Sequence, residues 1–397
     1  MERPHSLWKR ILYFLGVTAV FLPLALIMAL LGCHWYGWAL FALVVVLLAA
    51  LAFSKMGGWS KALCLVLLFA ASCTVAVYTR PSLQVSFSGT LAREAMLWLA
   101  QRPAMKEEVI RLLVDPEADV WQAPEGYTLT RYDLEGLPIE VLHQNGTVGE
   151  QVILQLHGGA YQVGLTNRYR DHALRYCQLQ GGVDVVTVDY RLAPAFTYPA
   201  ALEDALAAWE WLLEQGYQAD QILLAGDGAG GNLALALTAK LRDAQQELPY
   251  GLVLFSPWTD FTASGDSYQQ NQAKDPVFCR LPGDDDDYLT QAGLYDYAGG
   301  ADLEDPYLSP VYGSFEGFPA MLVIAGGDEV MASDASRLVQ KAVSQGVEAR
   351  LSLYEGMFHN FPLVLSWLPE SYQAWSEVQG FMKLLDQQRS LVGVGTN

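Results

Sequence analysis

The 397-residue sequence has few charged residues and few cysteines, and each shortage excludes classes of protein. Five cysteines without a CxxC pair give neither a disulfide framework nor a cysteine-rich metal site, and whether Cys177 and Cys279 pair is left open. Lys and Arg total 24 against 43 Asp and Glu, so the formal charge is −19. Such a chain is a poor nucleic-acid binder because acidic groups repel phosphate. A hydrophobic fraction of 52% also excludes a disordered protein.

The basic residues are concentrated at one end. Residues 1–80 contain six basic residues and one acidic residue, which leaves a charge of −24 on the remaining 317 residues. Three uncharged apolar runs lie in this first part, at residues 11–32, 37–53 and 62–78. As a helix, the first run would be about 33 Å long, enough to cross about 30 Å of hydrocarbon. Because two further runs follow it at once, we predict a three-helix transmembrane anchor rather than a cleaved signal peptide.

The positions of the basic residues orient this anchor. Arg3, Lys9 and Arg10 precede the first run, and Lys55 and Lys61 lie between the second and third. The positive-inside rule then places the N-terminus and the second loop in the cytoplasm. Three crossings put the acidic body on the non-cytoplasmic side, which makes the chain a multi-pass membrane protein.

Strands and helices alternate through the acidic body. Period-2 and apolar runs predict strands at residues 127–132, 138–143, 151–156, 183–188, 221–225, 251–255, 320–324 and 348–354. Helical periodicity is found at residues 83–113, 199–214, 232–242, 333–345 and 370–388. This alternation predicts an α/β fold with a mostly parallel sheet covered on both faces. Residues 262–318 interrupt the alternation and are predicted to be an insertion.

A glycine-rich corner follows the strand at 221–225. Its sequence is GDGAGGN, residues 226–232, between a strand and a helix. This is the setting of a nucleophile elbow, G-x-S-x-G, in which small neighbours permit a tight turn that exposes the central side chain. The central residue here is Gly228, which has no side chain. A phosphate-binding turn is the alternative, but the spacing matches neither a dinucleotide fingerprint nor a P-loop.

Other catalytic residue types follow other predicted strands. HGGAY, residues 157–161, can bring backbone N–H groups to a substrate oxyanion, in the manner of an HGGG motif. Asp328 follows the strand at 320–324, and His359 follows the last strand. Positions 228, 328 and 359 have the chain order nucleophile, acid, base that α/β-hydrolases use. In such a set the carboxylate orients the imidazole, which deprotonates the nucleophile.

Taken together, these motifs resemble the hormone-sensitive lipase family of α/β-hydrolases, which includes bacterial esterases and arylacetamide deacetylase-like enzymes. The resemblance covers about 200 residues in order. Besides Asp328 and His359, the matching stretches are HGGAY at 157–161, DYRLAP at 189–194, YPAALEDA at 198–205, GDGAGGN at 226–232, SPWTD at 256–260 and DPYLSP at 305–310.

The resemblance implies an α/β-hydrolase fold and carboxylic ester hydrolysis without a metal or an organic cofactor. It implies a linker with N-terminal cap helices over 81–125 and a hydrolase domain over 126–390, while the anchor over residues 1–80, predicted from the apolar runs, lies outside the resemblance. A cap insertion occupies about 262–318, and 391–397 form a tail. The site residues carried over are Asp328 as acid, His359 as base, Gly158, Gly159, Ala160 and Ala229 as oxyanion hole, and His157 and Asp227 as motif support.

The expected partners are the lipid bilayer and a small lipophilic ester, because Trp98, Leu99, Leu112, Leu113 and Trp121 would line an apolar cap. Acyl transfer to another alcohol uses the same machinery and stays open, as does the oligomeric state.

The sequence departs from the family pattern at the nucleophile, where Gly228 replaces serine. Three explanations stay open. The favoured one is an engineered inactive variant, because the oxyanion motif, acid and base are all present. The second is a natural pseudoenzyme that binds a lipophilic ligand or a partner. The third is an altered enzyme in which His359 activates water directly. In each case we expect little or no esterase activity.

Overall fold

The computed structural model describes residues 4–31, 33–79, 84–102, 120–179, 181–280 and 295–394. The chain divides into two compact units, Met1–Met96 and Leu97–Asn397. The first unit contains helices α1 (Pro4–Leu30), α2 (Trp35–Phe53) and α3 (Gly58–Tyr78), and helix α4 (Phe87–Ala100) lies where the two units join.

Helices α1 to α3 contain the three predicted apolar runs. Segments Leu7–Leu30, Trp35–Phe53 and Gly58–Tyr78 have mean hydropathies of 2.4, 2.4 and 2.0, and they are long and apolar enough to cross a membrane. A few side chains, such as Met28 and Leu48, are buried between the helices. Large apolar side chains elsewhere on them are exposed. Apolar outward faces of this kind suit a hydrocarbon environment.

The second unit is built on one eight-stranded sheet. Its strands are β1 (Tyr127–Leu134), β2 (Leu137–Gln144), β3 (Gln151–Leu156), β4 (Val183–Val188), β5 (Ile222–Asp227), β6 (Gly251–Phe255), β7 (Met321–Gly326) and β8 (Ala349–Tyr354). Their order is β1-β2-β4-β3-β5-β6-β7-β8; β2 is antiparallel to both of its neighbours, β1 and β4, and all other neighbouring pairs are parallel. Strands β4 to β7 are buried along their whole length, as a sheet covered on both faces requires. The predicted α/β architecture is confirmed.

Helices connect the strands. They are α5 (Asn167–Leu179), α6 (Ala200–Glu214), α7 (Ala229–Asp243), α8 (Ser267–Gln270), α9 (Ala332–Ser344), α10 (Phe361–Val364) and α11 (Pro369–Val394). Because the strands are parallel, the loops after β3, β5, β7 and β8 all leave the same edge of the sheet. The motifs at residues 157, 228, 328 and 359 are therefore brought to one edge.

Several boundaries differ from the sequence prediction. Helix α5 was not predicted, because its buried face is made of tyrosine, histidine and cysteine rather than aliphatic residues. Helix α11 continues to Val394, so the tail predicted from residue 391 is helical at its start. Part of the predicted helix at 83–113 is α4, whereas residues 103–113 lie outside the described residues. Cys177 and Cys279 are not joined by a disulfide.

Helix α7 also begins earlier than predicted, at Ala229, so Gly230 lies in its first turn. A Cβ on Gly230 would overlap the carbonyl oxygens of Leu156 and His157 at the end of β3. Glycine at this position lets the helix begin directly against the neighbouring strand, which joins the corner after β5 to the HGGAY loop.

Candidate active site

Gly228 forms the corner between β5 and α7. Its φ of 50° and ψ of −114° lie in a region that L-residues rarely adopt. Its N–H donates to the Phe255 carbonyl at 3.0 Å, and its own carbonyl accepts from the Trp258 N–H at 3.0 Å. A Cβ built on Gly228 would lie 3.4 Å from Nε2 of His359. A hydroxymethyl group at this position would therefore point at the imidazole.

The imidazole of His359 lies in the loop after β8 and is almost fully buried. The Asn360 side-chain amide lies 3.2 Å from Nε2, and its nitrogen also donates to Asp227 Oδ2 at 2.9 Å. Because an amide nitrogen only donates, Nε2 is the acceptor and the ring proton is assigned to Nδ1. Burial lowers the pKa of His359 to about 3, so the ring is neutral at physiological pH. A neutral ring whose Nε2 lone pair carries no proton is the form required of a general base.

The carboxylate that faces Nδ1 belongs to Glu329. Its Oε2 lies 3.9 Å from Nδ1, and it accepts hydrogen bonds from the Ser256 hydroxyl at 2.6 Å and the Gly326 N–H at 3.1 Å. Among the described residues, Nδ1 itself has no hydrogen-bond partner. Burial raises the pKa of Glu329 well above its usual value. The side chain is completely buried, as expected of a group that works only through its neighbour.

Asp328, the acid predicted from the sequence, directly precedes Glu329 in this turn. The Asp328 carboxylate lies 3.7 Å from Lys274 Nζ, and its side chain is 18% exposed. The backbone N–H of Asp328 donates to the Met357 carbonyl at 2.9 Å. Successive side chains in the turn after β7 point in different directions, and the Glu329 side chain is the one that faces His359 Nδ1.

One of the four predicted oxyanion-hole N–H groups has an acceptor inside the protein. The Gly158 N–H donates to Asp227 Oδ1 at 3.0 Å, so it is not available to a substrate oxyanion. In the part of the chain that the structure describes, the N–H groups of Gly159, Ala160 and Ala229 have no recorded acceptor. Ala229 is the first residue of α7, where backbone N–H groups lack intrahelical acceptors. Gly159 and Ala160 have φ values of 102° and 54°, which turn the loop away from the strand direction.

Two buried side chains support the HGGAY loop. The His157 ring stacks on Tyr190, with 4.1 Å between centroids, and its Nδ1 lies 2.8 Å from the Gly158 carbonyl oxygen. Burial lowers the pKa of His157 to about 4, so this ring is neutral. Asp227 accepts from the Gly158 N–H, from the Tyr169 hydroxyl at 3.3 Å and from Asn360. Burial raises the pKa of Asp227 to about 7. Both side chains therefore contact the backbone of the HGGAY loop.

Comparison with known proteins identifies the fold that carries this site. Residues 153–363, more than half of the chain, match the family model described as the alpha/beta hydrolase fold. The chain belongs to the α/β-hydrolase family. The hydrolase is 35% identical to an esterase of Acinetobacter venetianus over 242 residues, 59% of this chain and 76% of the relative. It is 34% identical to an acetyl-hydrolase of Streptomyces hygroscopicus over 59% of this chain and 75% of that protein.

Solved structures agree. An esterase from the bacterial hormone-sensitive lipase family matches this hydrolase with a TM-score of 0.64 and 30% identity, over 74% of this chain and 96% of that chain. A second esterase/lipase, from an uncultured bacterium, matches with a TM-score of 0.64 and 29% identity, over 74% of this chain and 97% of that one. By family, the hydrolase is therefore a carboxylesterase-type enzyme.

The predicted cap of the hydrolase is described only in part. Trp98 is about half exposed, and Trp121 donates from Nε1 to Asp171 Oδ1 at 2.7 Å. Leu112 and Leu113 lie outside the described residues. Sequence analysis missed Glu329 and Asn360 in the site. Each directly follows a residue that was found, so adjacency to Asp328 and His359 was the available signal.

Proposed function

We propose that this chain is a membrane-anchored carboxylic ester hydrolase whose acid, base and oxyanion donors are in place but whose nucleophile is absent. The observation that supports it is the direction of the Cβ at position 228, 3.4 Å from His359 Nε2. A serine Oγ at this corner would lie within hydrogen-bond reach of the base. With glycine at position 228, the chain is expected to have little or no esterase activity.

The proposed chemistry follows from the residues around the corner. With a serine at 228, His359 Nε2 would accept the hydroxyl proton as Oγ attacks the ester carbonyl, and it would later protonate the leaving alcohol. Glu329 would stabilise the imidazolium through Nδ1. The N–H groups of Gly159, Ala160 and Ala229 would bind the developing oxyanion. Without the hydroxyl, only substrate binding and the oxyanion donors remain, which supply roughly 10³- to 10⁴-fold over water.

Two explanations of the glycine have support in the site. The surrounding machinery is complete, which favours a single substitution that removed the serine, as in a variant made to be inactive. The Asn360 amide, however, fills the hydrogen bond of His359 Nε2 that the serine would use. That contact favours the second candidate function, a natural pseudoenzyme that binds a lipophilic ester or a partner. Transfer of the acyl group to another alcohol would use the same residues.

Restoring the hydroxyl tests the esterase proposal. The variant Gly228→Ser is expected to hydrolyse a short-chain aryl ester at least about 10³-fold faster than the unmodified chain, because the nucleophile dominates triad catalysis. It should also be labelled covalently by a fluorophosphonate probe. Gly228→Ala is the matched control, since it imposes the same backbone requirement without a hydroxyl and should remain inactive. A folded Gly228→Ser that is inert to both reagents would refute the esterase proposal, and tight ligand binding without turnover in either form would support the pseudoenzyme.

A second pair of variants tests the assignment of the acid. In the Gly228→Ser background, Glu329→Gln is expected to lower kcat by about 10²- to 10⁴-fold, because a neutral amide cannot stabilise the imidazolium. Asp328→Asn, the matched change one residue earlier, should alter kcat by less than about fivefold. The kcat values of the two variants, measured by steady-state kinetics, decide which carboxylate acts as the acid. A large loss in Asp328→Asn together with a small loss in Glu329→Gln would reverse the assignment.

The substrate is proposed to be an acyl or acetyl ester of a lipid-like or sterol-like alcohol. Support comes from the apolar spans, which would hold the enzyme at a bilayer, and from the acetyl-hydrolase among its relatives. In the Gly228→Ser protein, kcat/KM should be higher for an acetyl ester of a hydrophobic alcohol than for a sugar acetate of equal leaving-group pKa. A clear preference for the sugar acetate would count against this substrate class.

The hydrolase unit is proposed to lie on the non-cytoplasmic side of the membrane. The basic residues before the first span and between the second and third support this orientation. Protease added to sealed cells should digest the second unit without permeabilisation. Protection of this unit until the membrane is opened would show the opposite orientation.

A further inference from the structure

A buried carboxylate from the insertion reaches the acid and base loops. Asp275 lies in the predicted cap insertion and is completely buried. Its oxygens accept hydrogen bonds from the N–H of Val277 at 3.0 Å and of Val330 at 2.9 Å. The backbone N–H groups of Phe278 and His359 also face this carboxylate and lower its pKa, against the effect of burial. Four backbone donors therefore converge on one carboxylate.

Two of these donors belong to the loops that present the acid–base pair. Val330 directly follows Glu329, and the His359 donor is the backbone of the base itself. One carboxylate that accepts from the Val330 N–H and also faces the His359 N–H limits how far the loops after β7 and β8 can move apart. Because the Glu329 carboxylate lies 3.9 Å from His359 Nδ1, a small change in the separation of the loops decides whether the two side chains meet.

Neighbouring residues of the insertion reinforce the same loop. The side-chain amide of Asn271 donates to the carbonyls of Gly327 at 3.1 Å and Glu329 at 2.9 Å. The Phe278 ring meets the His359 ring edge-on, with 4.9 Å between centroids. The segment 271–278 thus contacts the acid loop through its polar groups and the base through an aromatic ring.

We infer that Asp275 is a positioning residue that sets the separation of Glu329 and His359, so that the insertion, and not the sheet alone, aligns the acid–base pair. The expected effect of Asp275 on turnover rests on the proposed function, whereas its expected effect on the tautomer and titration of the His359 imidazole does not. Burial without hydrogen bonds would be costly for a carboxylate, and the four N–H groups offset that cost only while both loops are in place. The carboxylate and the loop geometry therefore stabilise each other.

The first test does not depend on activity. In the full-length Gly228 chain labelled with ¹⁵N-histidine, with His359→Gln used for assignment, NMR should show His359 with its proton on Nδ1. In Asp275→Asn, the amide would face N–H donors with its own NH₂, so the loops should separate. The two ring nitrogen shifts are expected to move toward the tautomeric average, and the titration midpoint should rise toward about 6.5. Asp266→Asn, an exposed acidic residue of the same insertion, should leave the spectrum unchanged.

The second test uses the Gly228→Ser background. Asp275→Asn is expected to lower kcat by about 10- to 100-fold, because misplaced catalytic groups lose rate in this range, while KM changes by less than about threefold. A role confined to stability would lower the unfolding midpoint without altering the His359 signals or kcat. Unchanged imidazole shifts in folded Asp275→Asn would overturn the inference, whatever the activity of Gly228→Ser.

If Asp275→Asn fails to fold, the variant Asn271→Ala tests the positioning role instead. It removes two hydrogen bonds to the same acid loop and should shift the His359 resonances in the same direction by a smaller amount. Unaltered resonances in that variant would also overturn the inference. An inactive Gly228→Ser with shifted His359 signals in Asp275→Asn would instead refute the esterase proposal and leave the positioning role established.

Discussion

The site depends on one buried carboxylate, that of Asp227, which holds three separate loops together. It accepts from Gly158 in the loop after β3 and from Asn360 in the loop after β8, and it directly precedes the Gly228 corner. A buried carboxylate is costly unless each oxygen is hydrogen-bonded, so moving any one loop would leave charge uncompensated. The oxyanion motif, the nucleophile corner and the base are consequently placed relative to one another by a single group.

From Asp227, a chain of hydrogen bonds and contacts extends through the Asn360 amide and the His359 ring to Glu329. The Asn360 amide nitrogen can only donate, so Nε2 of His359, which it meets, must accept, and the ring proton lies on Nδ1, which faces Glu329. Burial lowers the pKa of His359 and raises that of Glu329, because a charge on either group is costly away from water. A proton transferred to Nε2 would place a positive charge on the ring, and the Glu329 carboxylate beside Nδ1 would stabilise that charge.

Much of this fold could be predicted from the sequence, because apolar runs and glycine corners are local signals. The strands carrying residues 157, 228 and 359 were found from such patterns, and so was the order of the catalytic positions. Spacing alone cannot distinguish the two adjacent carboxylates in this turn, Asp328 and Glu329, as the acid. Glu329 is held by Ser256, which directly follows β6, and by Gly326, the last residue of β7. Likewise, nothing local to the HGGAY motif shows that the Gly158 N–H is consumed by Asp227.

The backbone at Gly228 links reactivity to conformational cost. A non-glycine residue held at φ 50° and ψ −114° would carry strain on the order of 1–3 kcal/mol, whereas glycine adopts these angles freely. A serine at this corner would therefore carry a conformational cost, and contacts from the surrounding loops would have to offset it. With glycine, the same scaffold is relaxed, so the corner keeps its shape without any compensating interaction elsewhere in the fold.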